Sequence, residues 1–318
     1  MEIKVAKESG FCFGVKLAVD SANQALESCE PIYCLGQLIH NNSVTDDLEN
    51  RGLIVVDDIH LVPDGSKIIF RSHGVSKSIY EIAKSKKLSI IDSTCPFVTK
   101  IHRIVEEHYK KGYGIIIVGK ANHPEVIGIN GWCDNSAIII ETEQDVDKIA
   151  DLSIQMHVDN SLDLSINEGE SLKSKYCVVT QTTNNQQLWQ NIIKKIGKNN
   201  AIIVDFFDTI CYTTNIRQVE AKEVSSNSEI MLVLGNKQSA NTNKLLTVCK
   251  SNCDASFLIG DMDDLIGLDD SIFGQDKVVG ITAGASTPFE FIQQVVDYLN
   301  QHYNIQSKAE IVDSHTFV

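Results

Sequence analysis

The chain has 318 residues, 43% of them apolar and 22% charged, so it is long enough for two or three domains with their own cores and does not read as disordered. Its formal net charge of −14 repels nucleic acid and anionic lipid surfaces, which leaves room only for a local anion site. The start "MEIKVAKESG" has no basic region leading into an apolar run, and no later run approaches a membrane span, so a cytoplasmic protein with no membrane partner is expected.

In chain order, "EIKVA" reads as a short strand and "KLAVDSANQALE" as a helix. Between them, "GFCFGV" holds Cys12 at the mouth of the helix, where the unpaired N–H groups and the helix dipole favour a thiolate. On this stretch alone Cys12 reads more readily as a small buried hydrophobe. "PIYCLG", "KIIFRSH" and "SIIDS" then look like buried strands, the last leading to Cys95. "GIIIVG" and "AIIIET" follow, and after a polar stretch at 155–175 that reads as a surface insertion come "YCVVTQ" and "AIIVDFF", which leads to Cys211. "EIMLVLG", "ASFLIG" and "KVVGITAG" complete the series. Polar stretches of helical length separate most of these runs, which argues for α/β layers with mainly parallel sheet.

Nine cysteines without a C-x-x-C pair suit neither a disulfide scaffold nor a zinc ribbon. Cys249 and Cys253, four apart, are expected to share a helix face and to pack; Cys29, Cys34, Cys133 and Cys177 have no local signature. Cys12, Cys95 and Cys211 differ from the rest, because each follows a strand-like run and opens a helix. Loops at the carboxyl ends of strands form the crevice of open α/β sheets, so three such modules bring three cysteines toward one centre.

Read together and in order, "GFCFGV", "LIHN", "SHGVS", "DSTCPFVTKIH", "NHPEVIG", "TQTT", "DTICYTTNIRQ", "GNKQSANTNKL" and "TAGASTP" resemble the LytB/IspH family, the 4-hydroxy-3-methylbut-2-enyl diphosphate reductases. The resemblance spans residues 10–288. It implies three small α/β domains with mainly parallel sheets in a pseudo-threefold trefoil around a central iron–sulfur cluster. The expected boundaries are 12–94, 95–207 and 208–292, with 1–11 and 293–318 packing on the third domain. It implies reductive dehydroxylation of 4-hydroxy-3-methylbut-2-enyl diphosphate to isopentenyl and dimethylallyl diphosphate, the last step of the non-mevalonate isoprenoid pathway, with ferredoxin or flavodoxin as electron donor.

Carried onto matching positions, the resemblance makes Cys12, Cys95 and Cys211 ligands of a 4Fe–4S cluster with one iron left open. His40, His73 and His123, with Ser239, Asn241 and Ser286, are implied to bind the diphosphate. Glu125 is implied as the proton donor, Thr182 as its relay partner and Thr183 as support. As isolated residues the histidines would more often be structural, Glu125 solvated, and the serines and asparagine helix caps. The chain departs from the pattern at Ala240, where the family often has a second hydroxyl, and in the length of the 155–175 insertion. A Rossmann-like oxidoreductase is disfavoured by the missing glycine fingerprint. A cluster-binding sensor would leave the histidines, Glu125 and the hydroxyl loops without a role.

Overall fold

The computed structural model describes residues 1–28, 30–147, 174–198, 202–274 and 276–303. Among these, twelve strands form three four-stranded sheets in which every pairing is parallel. One holds β2 (Ile32–Leu35), β3 (Leu53–Val56), β4 (Lys67–Phe70) and β5 (Ser89–Asp92) in the order β3-β2-β4-β5. A second holds β6 (Gly114–Val118), β7 (Ile138–Ile140), β8 (Ser174–Thr180) and β9 (Ile202–Phe206) in the order β7-β6-β8-β9. The third joins β1 (Glu2–Val5) to β10 (Ile230–Leu234), β11 (Ser256–Ile259) and β12 (Val278–Ala283) in the order β1-β12-β10-β11.

A parallel strand covered on both faces needs a nearly continuous apolar run rather than alternation. β10, "IMLVL", meets that demand with all five residues buried, and β6, "GIIIV", buries its last four. β3 was not anticipated by the sequence reading. Its run "LIVV" sits at the sheet edge, where only Leu53 is buried, and follows Gly52, whose φ of +107° makes the turn into it.

The chain divides into two compact units. The first comprises Met1–Ser72, Lys86–Cys95 and the described residues from Cys211 onward, and contains the β3-β2-β4-β5 and β1-β12-β10-β11 sheets. Within it, helix Phe13–Leu26 buries Gly14, Ala18 and Ala22, a stripe of small residues at four-residue spacing that admits close packing. The second unit comprises His73–Ser85 and Pro96–Ile210 and contains the β7-β6-β8-β9 sheet. Its core includes Ile116, Val118, Val178, Trp189 and Ile192.

Cys249 and Cys253 pack as expected, buried with Ala221, Met231, Val233 and Leu245. They do not share a helix face, however, because helix Ala240–Lys250 ends before Cys253. Cys34, Cys133 and Cys177 are buried too. Cys29 and residues 155–173 of the expected insertion lie outside the described residues.

Candidate active site

In the first unit, each of the three singled-out cysteines stands at a strand-end loop. Cys12 is the N-cap of helix Phe13–Leu26, with extended backbone, and its N–H donates to Ala285 O at 3.0 Å in the loop after β12. Cys95 donates its N–H to Ser72 O at 3.0 Å, beyond the end of β4. Cys211 is the N-cap of helix Tyr212–Ser226, and its carbonyl accepts from Asn215 N at 3.1 Å. All three are half-buried and outside any disulfide.

The segments that carry the thiols lie close together. A Cβ placed on Gly14 would lie 2.6 Å from Cys95 Sγ, so the first turn after Cys12 lies directly against Cys95. Cys12 and Cys211 are close enough for the charge of one to act on the other. Burial raises the Cys12 pKa despite hydrogen bonds from the Val15 and Gly14 N–H groups and the Arg217 charge. The helix N-terminus therefore acts as the sequence suggests, but desolvation outweighs it in the free thiol. Three soft sulfur donors converging here fit an iron–sulfur cluster, whose binding would displace their protons.

Hydroxyl and amide groups of the same unit gather on neighbouring loops. Asn41 caps helix Asn42–Asn50 and donates Nδ2 to Ser286 O at 2.8 Å, while Ser286 Oγ donates to His40 O at 3.0 Å. His40 and Ser286, far apart in sequence, are thus tied together. Burial and the Arg71 charge lower the His40 pKa, so the imidazole is held neutral in a positive field, a setting that favours an anion. Ser239 caps helix Ala240–Lys250 by accepting from Thr242 N at 3.3 Å. Asn241, in that helix's first turn, is 4% exposed, and neither polar atom of its side chain makes a hydrogen bond among the described residues. An unmet buried amide at a helix N-terminus suits a bound anion. Ala240 supplies no oxygen there.

In the second unit, strand ends β6 and β8 position the acid. His123 is the N-cap of helix Pro124–Asn130, and its Nδ1 accepts from Glu125 N at 3.1 Å, which leaves the ring proton on Nε2 when the ring is neutral. Its ring lies edge-on to that of His73, with centroids 5.5 Å apart. Glu125 is 2% exposed. Thr182, just past β8, donates its N–H to Glu125 Oε1 at 2.6 Å and its Oγ1 to Oε2 at 2.7 Å. Burial pushes the Glu125 pKa up to about 7 although both Thr182 bonds pull it down. The carboxyl can therefore hold a proton near neutral pH and pass it through the Thr182 hydroxyl. Thr183 Oγ1 accepts from Gln181 Nε2 at 3.0 Å, and Gln181 Oε1 accepts from Lys120 N at 3.2 Å. Thr183 thus braces the strand-end loop.

The sequence reading gave no role to Asn41, Gln181 or Arg217. All three flank or fall within the quoted motifs, but only their hydrogen bonds and burial single them out. Arg217 is 1% exposed in helix Tyr212–Ser226 and acts on both Cys12 and Cys211.

Residues 3–300 match the family model described as "LytB protein". A protein of Clostridioides difficile named 4-hydroxy-3-methylbut-2-enyl diphosphate reductase is 45% identical over 300 residues, 94% of this chain and 99% of that protein. Among solved structures, the E-1-hydroxy-2-methyl-but-2-enyl-4-diphosphate reductase of Plasmodium falciparum superposes with a TM-score of 0.80 at 32% identity, covering 94% of this chain and 88% of that one. A second, described as (E)-4-hydroxy-3-methyl-but-2-enyl diphosphate reductase, the terminal enzyme of the non-mevalonate pathway, gives a TM-score of 0.66 at 31% identity, covering 95% of this chain and all of that one.

Proposed function

Because this chain belongs to the LytB family, whose members carry an iron–sulfur cluster, we propose that it reduces 4-hydroxy-3-methylbut-2-enyl diphosphate to isopentenyl and dimethylallyl diphosphate, the last step of the non-mevalonate isoprenoid pathway. The reaction takes up two electrons and two protons and releases the substrate hydroxyl as water. Cys12, Cys95 and Cys211 would hold a 4Fe–4S cluster with one iron free of protein ligands. When bound, the cluster supplies the electrons and a Lewis-acidic iron. A ferredoxin or flavodoxin serves as donor, and the three cysteine-led stretches 12–94, 95–207 and 208–292 form three modules.

The chain's own residues bind, orient and protonate. His40, Ser239, Asn241 and Ser286 offer the diphosphate neutral donors, and Asn241 brings an amide with no hydrogen-bond partner among the described residues. His73 and His123 add imidazole donors, with the His123 ring proton on Nε2 because Nδ1 accepts from Glu125 N. Glu125 stores the proton for the departing hydroxyl, and Thr182 relays it by accepting from Oε2 and donating its own. The buried carboxyl with a pKa of about 7, held on both oxygens by Thr182, is the observation that carries this reading.

The test is anaerobic assembly followed by assay with a low-potential donor. Wild type should contain iron and sulfide and turn over the diphosphate. Cys12→Ser, Cys95→Ser and Cys211→Ser should each lose iron, whereas Cys249→Ser, in the apolar core, should keep it. Equal iron in all four variants would overturn the ligand assignment.

A further inference from the structure

A guanidinium cannot shed its charge, and burying a charge without an anionic partner is expensive. Arg217 is 1% exposed. Its Nη1 donates to Ala283 O at 3.1 Å, but Nε and Nη2 make no hydrogen bond among the described residues. No carboxylate hydrogen-bonds to it there. Glu220, the nearest acid in its own helix, instead accepts the Glu8 N–H at 2.8 Å through Oε2.

The anion that would complete this site is indicated by what Arg217 touches. Its carbonyl partner, Ala283, ends β12, and two residues later Ala285 O accepts the Cys12 N–H. Its own helix begins from Cys211. Arg217 thus lies behind two of the three thiols, joined to one through the β12 loop and to the other through a helix turn and a half.

We propose that Arg217 is a positioning residue whose buried positive charge offsets the Cys12 and Cys211 thiolates in the cluster-loaded protein, and so sets how readily the cluster accepts an electron. The inference rests on the cluster reading above. Net charge around an iron–sulfur centre is one of the factors that fix its potential, and a nearby cation favours the reduced, more negative state. Of the groups that favour the guanidinium charge, Cys12 acts most strongly, ahead of Glu8, Glu220 and Cys211.

The proposal makes loaded and cluster-free protein respond oppositely, which a merely structural arginine would not. Wild type, Arg217→Lys, Arg217→Gln and Arg217→Met should be assembled anaerobically, their iron and sulfide counted, and their midpoint potentials measured by mediated titration. Arg217→Lys should stay close to wild type in both. Arg217→Gln should show a more negative potential or a lower iron content. Before assembly, Arg217→Met should melt no lower than wild type, because an apolar chain of similar length removes a buried charge that has no hydrogen-bonded anion among the described residues until thiolates form. Full iron and an unchanged potential in Arg217→Gln, an Arg217→Lys shift as large as that of Gln, or an Arg217→Met apoprotein that is unfolded or melts several degrees lower would each overturn the proposal. Wild type without iron would overturn the proposed function and this inference with it. An intact wild-type cluster with any of the other adverse results would overturn this inference alone.

Discussion

At Glu125 two opposing effects decide the chemistry, and burial wins over the pair of Thr182 hydrogen bonds. If the carboxyl gives up its proton as water leaves, Glu125→Gln keeps shape and polarity but removes the acid. kcat should then fall by about 10²–10⁴-fold with iron content intact. The wild-type rate should be flat below pH about 7 and decline above it, following loss of the Glu125 proton, and the Gln variant should lack that limb. Stability carries the same signature. With the folded pKa raised from 4.5 to about 7, the folded state keeps a proton that the unfolded state loses, so stability falls as pH rises through that interval and levels off above it. The drop corresponds to roughly 3 kcal/mol. Denaturant melts of wild type and Glu125→Gln across this range check it: the stability difference between the two should change with pH by this amount and then level off.

Elements place these residues, and their legibility varied with how local the signal is. The cysteines could be ranked because each lies between a strand run and a helix start, a pattern complete within about a dozen residues. β3 went unread although "LIVV" is wholly apolar, because a run of four apolar residues is not assigned to strand or helix by periodicity alone. Arg217 carries no signal in the sequence, since no local pattern reveals that a charged side chain turns inward. Cys249 and Cys253 pack as expected, but the helix face expected to carry both ends too early, and a helix end is the least legible feature of a helix. Gly14 gives this scale its prediction. Gly14→Ala adds a methyl whose ideal position is 2.6 Å from Cys95 Sγ, so Cys95 must shift. Alanine is the better helix former by about 1 kcal/mol. Helix content by circular dichroism should therefore persist while iron uptake drops well below wild type; full uptake would show that Cys95 is not held where the proposed site needs it.

For the molecule as a whole, the three cysteines come from chain positions far apart, yet all belong to one compact unit. A cluster that ties them acts as a three-way crosslink closing long loops, and the entropy removed from the unfolded chain grows with loop length. Ligand binding to the folded state alone adds to this. Anaerobic calorimetry should give the iron-loaded protein a Tm at least several degrees above the apoprotein, and a chelator should erase the difference. Identical melts would place the metal outside the folding unit.

The pairing of β1 with β12 has a consequence for biosynthesis. Glu2–Val5 finds its partner strand at Val278–Ala283, nearly the whole length of the chain later. At about 5–20 residues per second, the ribosome delivers that partner roughly 15–55 s after the first strand. Throughout that interval the nascent segment carrying Cys12 has no β12 loop to receive its N–H, and its thiol stays open to oxidants and to stray metal. Assembly of the proposed centre is consequently expected only after β12 has been made, however quickly the cell makes this protein.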